Sequence, residues 1–83
     1  MTDRDPQILP LFARAIWEID QKKVADLGME TQVAGLGIDS VAMLEVIGFL
    51  EDELQVHLPE ERLRDVVTVG DLADVIAAAR AAD

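Results

Sequence analysis

Among the 83 residues, the stretch whose residue types could do chemistry is Leu36-Gly37-Ile38-Asp39-Ser40-Val41, which leads through a glycine to one serine ahead of an apolar-periodic run. Asp39 is a favoured N-cap residue, so Ser40 becomes the first helical position and its hydroxyl is expected to face solvent. Unpaired backbone N–H groups and a partial positive charge collect at such an end. An anionic phosphodiester on Ser40 Oγ is therefore stabilised there.

Other chemistries find less support. Cysteine is absent and His57 is the sole histidine, so no disulfide or thiolate metal site is available, and His57 reads as a surface turn residue. The acidic runs lack the alternating oxygen ligands and central glycine of a calcium loop, and no metal is expected. No acid–base pair, nucleophile–histidine arrangement or glycine-rich phosphate loop is visible, which argues against an independent enzyme.

Presenting one serine requires a scaffold, and helical periodicity supplies it. Ile8, Leu9, Phe12, Ala15, Ile16 and Ile19 fall on one face of a first helix that is expected to run to about Lys22, with Pro6 or Pro10 in its first turn. Arg14, Glu18, Gln21 and Lys22 point away. Lys22 and Lys23 read as cations complementing a solvated helix end, and Trp17 as a flank residue packing under the following loop. From Val24 to Ile38 the apolar spacing is irregular and interrupted by glycines, which predicts a long ordered loop.

The second helix is predicted from Ser40 to about Leu54. Met43, Val46, Ile47, Leu50 and Leu54 turn inward, whereas Val41, Glu45, Gly48 and Asp52 form the outward stripe with Leu44 and Glu51 beside them. Pro59 opens a short helix from Glu60 to about Val66, with Leu63 and Val66 buried and Arg62 and Arg64 facing out. Thr68 and Asp71 have capping-box spacing for a last helix whose inward stripe is Val69, Leu72, Val75, Ile76 and Ala79. The predicted fold is all-α: a small four-helix bundle of three longer helices and one short one, with a long loop between the first two. It forms a single domain over 1–83, with residues 1–5 frayed.

Acidic residues outnumber basic ones 17 to 7, a formal net charge of -10. That balance excludes a phosphate-backbone binder and favours partners with basic docking surfaces; nucleic acid is not an expected ligand. Hydrophobic residues make up 51% of the chain, too many for an acidic disordered tail. No signal segment or membrane span is seen, so a cytoplasmic monomer is expected.

Leu36, Gly37, Asp39, Ser40 and Val41 resemble the attachment site of acyl carrier proteins, and the resemblance continues through Glu45, the acidic run 51–53, Leu58-Pro59-Glu60-Glu61 and Thr68-Val69. It implies covalent 4'-phosphopantetheine on Ser40, with Asp39 and Gly37 helping to present the serine. The arm's thiol would carry acyl groups as thioesters for fatty acid, polyketide or related biosynthetic enzymes. The implied partners are a Mg2+-dependent phosphopantetheinyl transferase, acyl transferases or ligases, and synthases. Their implied docking surface is Val41, Leu44, Glu45, Gly48, Glu51 and Asp52, and the interior between helices is expected to admit an apolar chain.

Three positions depart from the family's usual pattern. Gly35 and Ala42 stand where acidic residues are common, and Gly48 stands where a larger apolar contact is common. Glycine there weakens the helix by roughly 1 kcal/mol relative to alanine. Asp39 favours acyl over aminoacyl cargo. An aminoacyl or D-alanyl carrier and an unmodified helical interaction module are the alternatives.

Overall fold

The apolar stripes fold into four helices in a computed structural model that describes residues 6–81: α1 (Ile8–Asp20), α2 (Ser40–Leu54), α3 (Glu60–Leu63) and α4 (Val69–Ala81). A 3₁₀ turn, Val33–Leu36, interrupts the long α1–α2 loop. Among the described residues there is no strand, only an isolated antiparallel bridge between Gln32 and Thr68. The expected fraying of residues 1–5 lies outside the described residues.

The inward stripes meet in one core. Ile8, Phe12, Ala15 and Ile16 of α1 pack with Val46, Ile47 and Leu50 of α2 and with Val69, Leu72, Ala73 and Ile76 of α4, and Leu58 adds the α2–α3 connection. No polar or charged side chain is buried among the described residues. Cohesion therefore rests on apolar burial, without internal ion pairs to desolvate. Leu9, Ile19, Met43, Leu54, Val75 and Ala79, also expected inward, are partly buried at its rim. Phe49, unassigned from sequence, joins that rim and lies 5.9 Å from the guanidinium carbon of Arg14, within cation–π range.

The helix ends depart from the bounds that the apolar spacing predicts. α1 stops at Asp20, before the expected Lys22, because Gln21 adopts the left-handed conformation (φ 49°) and its N–H bonds the Trp17 carbonyl at 2.9 Å. The Gln21 side-chain amide also donates to the Glu18 carbonyl at 3.3 Å, satisfying another terminal acceptor. Trp17, expected under the loop, remains 46% exposed.

The third helix is likewise shorter than expected. α3 ends at Leu63, and Asp65 and Val66 continue as tight turns whose N–H groups bond the carbonyls of Arg62 and Leu63. Beyond them Val67 is drawn into a crossing with the long loop: Val33 N–H donates to Val67 O at 2.9 Å, Val69 N–H to Thr31 O at 2.9 Å and Gly70 N–H to Met29 O at 2.8 Å. Those bonds join segments far apart in sequence and favour extended chain over a further helical turn. The capping box forms as predicted, with Asp71 N–H donating to Thr68 Oγ1 at 3.1 Å and Thr68 N–H to Asp71 Oδ2 at 3.0 Å.

Phe12 is the largest fully buried side chain. Phe12→Ala is expected to cost about 3–5 kcal/mol, comparable with the lower range of whole-domain stability, so the variant should lose most of its far-UV helical signal at 25 °C or unfold at markedly lower urea concentration.

Candidate functional site

The beginning of α2 is set by Asp39. Its backbone is extended (φ -74°, ψ 170°), and its Oδ1 accepts the Ala42 N–H at 2.7 Å. The Asp39 carbonyl then accepts Met43 N–H at 2.9 Å as the first bond of the helical ladder. Ser40 stands at the first helical position with its side chain exposed. The amides of Ser40 and Val41 precede the first intrahelical donor and remain directed out of the helix end. An exposed hydroxyl beside outward-directed amides fits a phosphodiester linkage.

The approach to Asp39 is held from the side. Gly37 has φ +72°, a left-handed conformation that glycine adopts without steric cost, and a Cβ built there would lie 2.9 Å from Lys22 Nζ. Lys22 Nζ donates to the carbonyls of Leu36 and Gly37, each at 3.1 Å. The side chain read from sequence as a helix-end counter-charge thus crosses to the loop. Its spacing from Leu36 and Gly37 gave no local signal for this contact.

Ser40 also forms part of the wall of an apolar groove of about 660 Å³. Val33 and Ile38 line it from the loop, Met43 and Ile47 from α2, and Leu63 and Val66 from the α3 side; Glu60 and Arg64 stand among them as its charged residues. This apolar groove is open to solvent, with Ser40 in its wall.

Around Ser40 the outward face of α2 is mixed. Val41 and Leu44 are 69% and 62% exposed, and Glu45, Asp52 and Glu53 are exposed with them. Gly48 is half-buried, and a side chain added there would meet nothing within 4 Å of its Cβ. Glu51 is turned differently: its Oε2 accepts Leu58 N–H at 2.8 Å and lies 3.3 Å from His57 Nδ1. Its carboxylate therefore braces the α2–α3 connection, while His57 is 88% exposed, as a surface turn residue. Val67, 58% exposed on the opposite bank of the groove, was not singled out from sequence as part of this surface.

A family described as "Phosphopantetheine attachment site" matches residues 13–76, a span that includes the loop, Asp39-Ser40, α2 and α3. An acyl carrier protein of Acidothermus cellulolyticus is 32% identical over 72 residues, covering 86% of each chain. The chain belongs to the acyl carrier protein family. Acyl carrier protein SF2, chloroplastic, of Brassica campestris is 39% identical over 57 residues, which are 69% of this chain but 40% of that protein. A 3-methylorcinaldehyde synthase of a Phoma species is 41% identical over 54 residues, 65% of this chain and 2% of that protein. The chain therefore spans less than half the length of these two relatives.

The crystal structure of an acyl carrier protein from Thermotoga maritima superposes with a TM-score of 0.82 at 22% identity, over 92% of this chain and 89% of that one, and shares the helical-bundle fold. Acyl carrier proteins are non-catalytic carriers bearing covalently attached 4'-phosphopantetheine, and they work with phosphopantetheinyl transferases and synthases. Among the described residues, no helix is long and apolar enough to cross a membrane and no group of three or more His, Cys, Asp or Glu side chains could hold a metal ion.

Substitutions at the N-cap of α2 and within that helix have opposite expected effects in urea unfolding. Asp39→Ala removes the acceptor for Ala42 N–H and should destabilise the fold by about 1 kcal/mol, whereas Asp39→Ser keeps a capping oxygen and should stay much closer to wild type. Gly48→Ala adds a methyl group to open space within a helix and should stabilise by about 1 kcal/mol.

Proposed function

We propose that this carrier holds acyl groups on 4'-phosphopantetheine attached to Ser40 and presents them to enzymes of fatty acid, polyketide or related biosynthesis. The observation that carries the reading is an exposed Ser40 at the capped start of a 15-residue helix, in the wall of an apolar groove. When bound, the group supplies a terminal thiol that holds the cargo as a thioester. The chain's own residues do the positioning. Asp39 stops the first turn from unwinding and so keeps the hydroxyl outside the helix, where a transferase can reach it.

Val41 and Leu44 offer apolar contact next to the attachment point, and Glu45 and Asp52 add negative charge one to three turns on. Such a surface suits brief docking by basic enzymes, because rim charges raise the encounter rate and set register without making release slow. Gly48 leaves a shallow place between the acids. Glu51, occupied by Leu58 and His57, contributes through its charge more than through a free carboxylate. The groove supplies apolar cover for the proximal part of a cargo chain, and no residue of the site is required to make or break a bond in that cargo. The chain is in this reading a carrier and not an enzyme.

Intact mass after incubation with coenzyme A, Mg2+ and a broad-specificity phosphopantetheinyl transferase tests the attachment. One phosphopantetheinyl addition is expected on the wild type and none on Ser40→Ala; a wild type that stays unmodified while retaining its helical spectrum would favour an unmodified interaction module. Loading of the modified protein by an acyl ligase but not by an amino-acid-activating ligase would separate acyl from aminoacyl cargo. For the docking face, Glu45→Lys together with Asp52→Lys should slow association with a basic synthase several-fold at low ionic strength, with the difference shrinking as salt is raised.

A further inference from the structure

The loop before Ser40 is fastened at two places. Its middle is clamped to the start of α4 by the bonds of Met29, Thr31 and Val33 to Gly70, Val69 and Val67. Between that clamp and Asp39 run Ala34, Gly35, Leu36, Gly37 and Ile38. Among the described residues, the polar bonds that tie this stretch to a distant part of the chain are the two from Lys22 Nζ to Leu36 O and Gly37 O, each 3.1 Å long. They span 14 and 15 residues of sequence. Gln21, reversing the chain at the end of α1, is what brings Lys22 into range.

The chemistry of this contact is specific to a cation. The 3₁₀ turn ends at Leu36, leaving terminal carbonyls without helical donors, and an ammonium carries three N–H groups and no acceptor. Charge-assisted bonds to two consecutive carbonyls fix both the position and the tilt of the peptide between them. Gly37 completes the arrangement, since a side chain there would start 2.9 Å from Nζ. Lys22 is itself partly buried by the contact, whereas the neighbouring cation, Lys23, is exposed.

We propose that Lys22 is a positioning residue for the transfer of phosphopantetheine to Ser40: it ties the segment just after α1 to the Leu36 and Gly37 carbonyls, short of Ile38 and Asp39, and so sets the angle at which the chain enters α2. The inference rests on Ser40 being the attachment point. Lys22 acts through Gly37 and Asp39 and touches no reacting atom. Loss of the tether lets residues 34–38 sample other paths, so the hydroxyl is presented in a spread of orientations, while the docking residues Val41, Leu44 and Glu45 remain on an intact helix. The expected signature is a fall in kcat at nearly constant KM.

The test is steady-state phosphopantetheine transfer to the apo protein, followed by intact mass, for wild type, Lys22→Met and Lys22→Arg. Lys22→Met should lower kcat roughly tenfold with KM within about twofold, as a displaced reacting group does, and Lys22→Arg, which restores a multidentate cation, should recover most of the rate. In parallel, amide NMR shifts should move at Gly37, Asp39 and Ala42 but not at the core positions Leu50 and Leu72. Wild-type kcat and KM in Lys22→Met, with its helical spectrum intact, would overturn the proposal, as would a loss that Lys22→Arg fails to repair. If the methionine variant unfolds, Lys22→Gln, which keeps one amide donor, decides: an intermediate kcat supports the tether and an unchanged kcat overturns it. Absence of any addition to the wild type would instead strike at Ser40 as the attachment point, and at the inference with it.

Discussion

The functional end of this molecule depends on where α2 begins, and one hydrogen bond decides that. Asp39 Oδ1 accepts the Ala42 N–H at 2.7 Å, which ends the extended approach and starts the helix on Ser40. Were the helix to begin one residue later, Ser40 would be its N-cap and no longer its first helical residue. The cap leaves Ser40 as the residue with a helical backbone and an uncommitted side chain. The outward amides of the first turn then lie beside the hydroxyl.

That start is useful because the rest of the bundle holds α2 still. Its inner face, Val46, Ile47 and Leu50, belongs to the buried core shared with α1 and α4, so the helix that begins at Ser40 also carries much of the core. The same helix contributes Met43 and Ile47 to the groove and Val41 and Leu44 to the exposed face. Core, groove wall and exposed apolar face are thus three sides of one helix.

Charge is distributed to match. The described interior holds no buried polar or charged side chain, so the charges of the described residues stand at exposed or partly buried positions. Not every acid is free to meet a partner, however. Glu51 satisfies the Leu58 amide at the α2–α3 turn and Asp71 satisfies Thr68 and Val67 at the start of α4. Glu45 and Asp52 stand exposed on α2 beside these structural carboxylates. One acidic composition therefore holds both carboxylates committed to backbone amides and carboxylates left exposed, with local geometry deciding which is which.

The sequence by itself determined the all-α class, the start and end of α2, the inward stripes of the three longer helices, the capping box of α4 and the exposure of Ser40. Each follows from interactions within a few residues: helical spacing of apolar side chains, an N-cap aspartate, a Thr–Asp pair three apart. Only the tertiary structure decided the 3₁₀ turn in the loop, the early end of α3, the bracing role of Glu51 and the reach of Lys22 to Leu36 and Gly37. Those features depend on groups that helical spacing does not relate, from Glu51 and Leu58 seven residues apart to Lys22 and Gly37 fifteen apart. The Gln32–Thr68 bridge and its neighbouring bonds pull Val67 out of a helical path, and the reversal at Gln21 turns Lys22 toward the loop. A side chain's local pattern states what it favours, but its partner is settled by which segments the packed core brings within about 3 Å of one another.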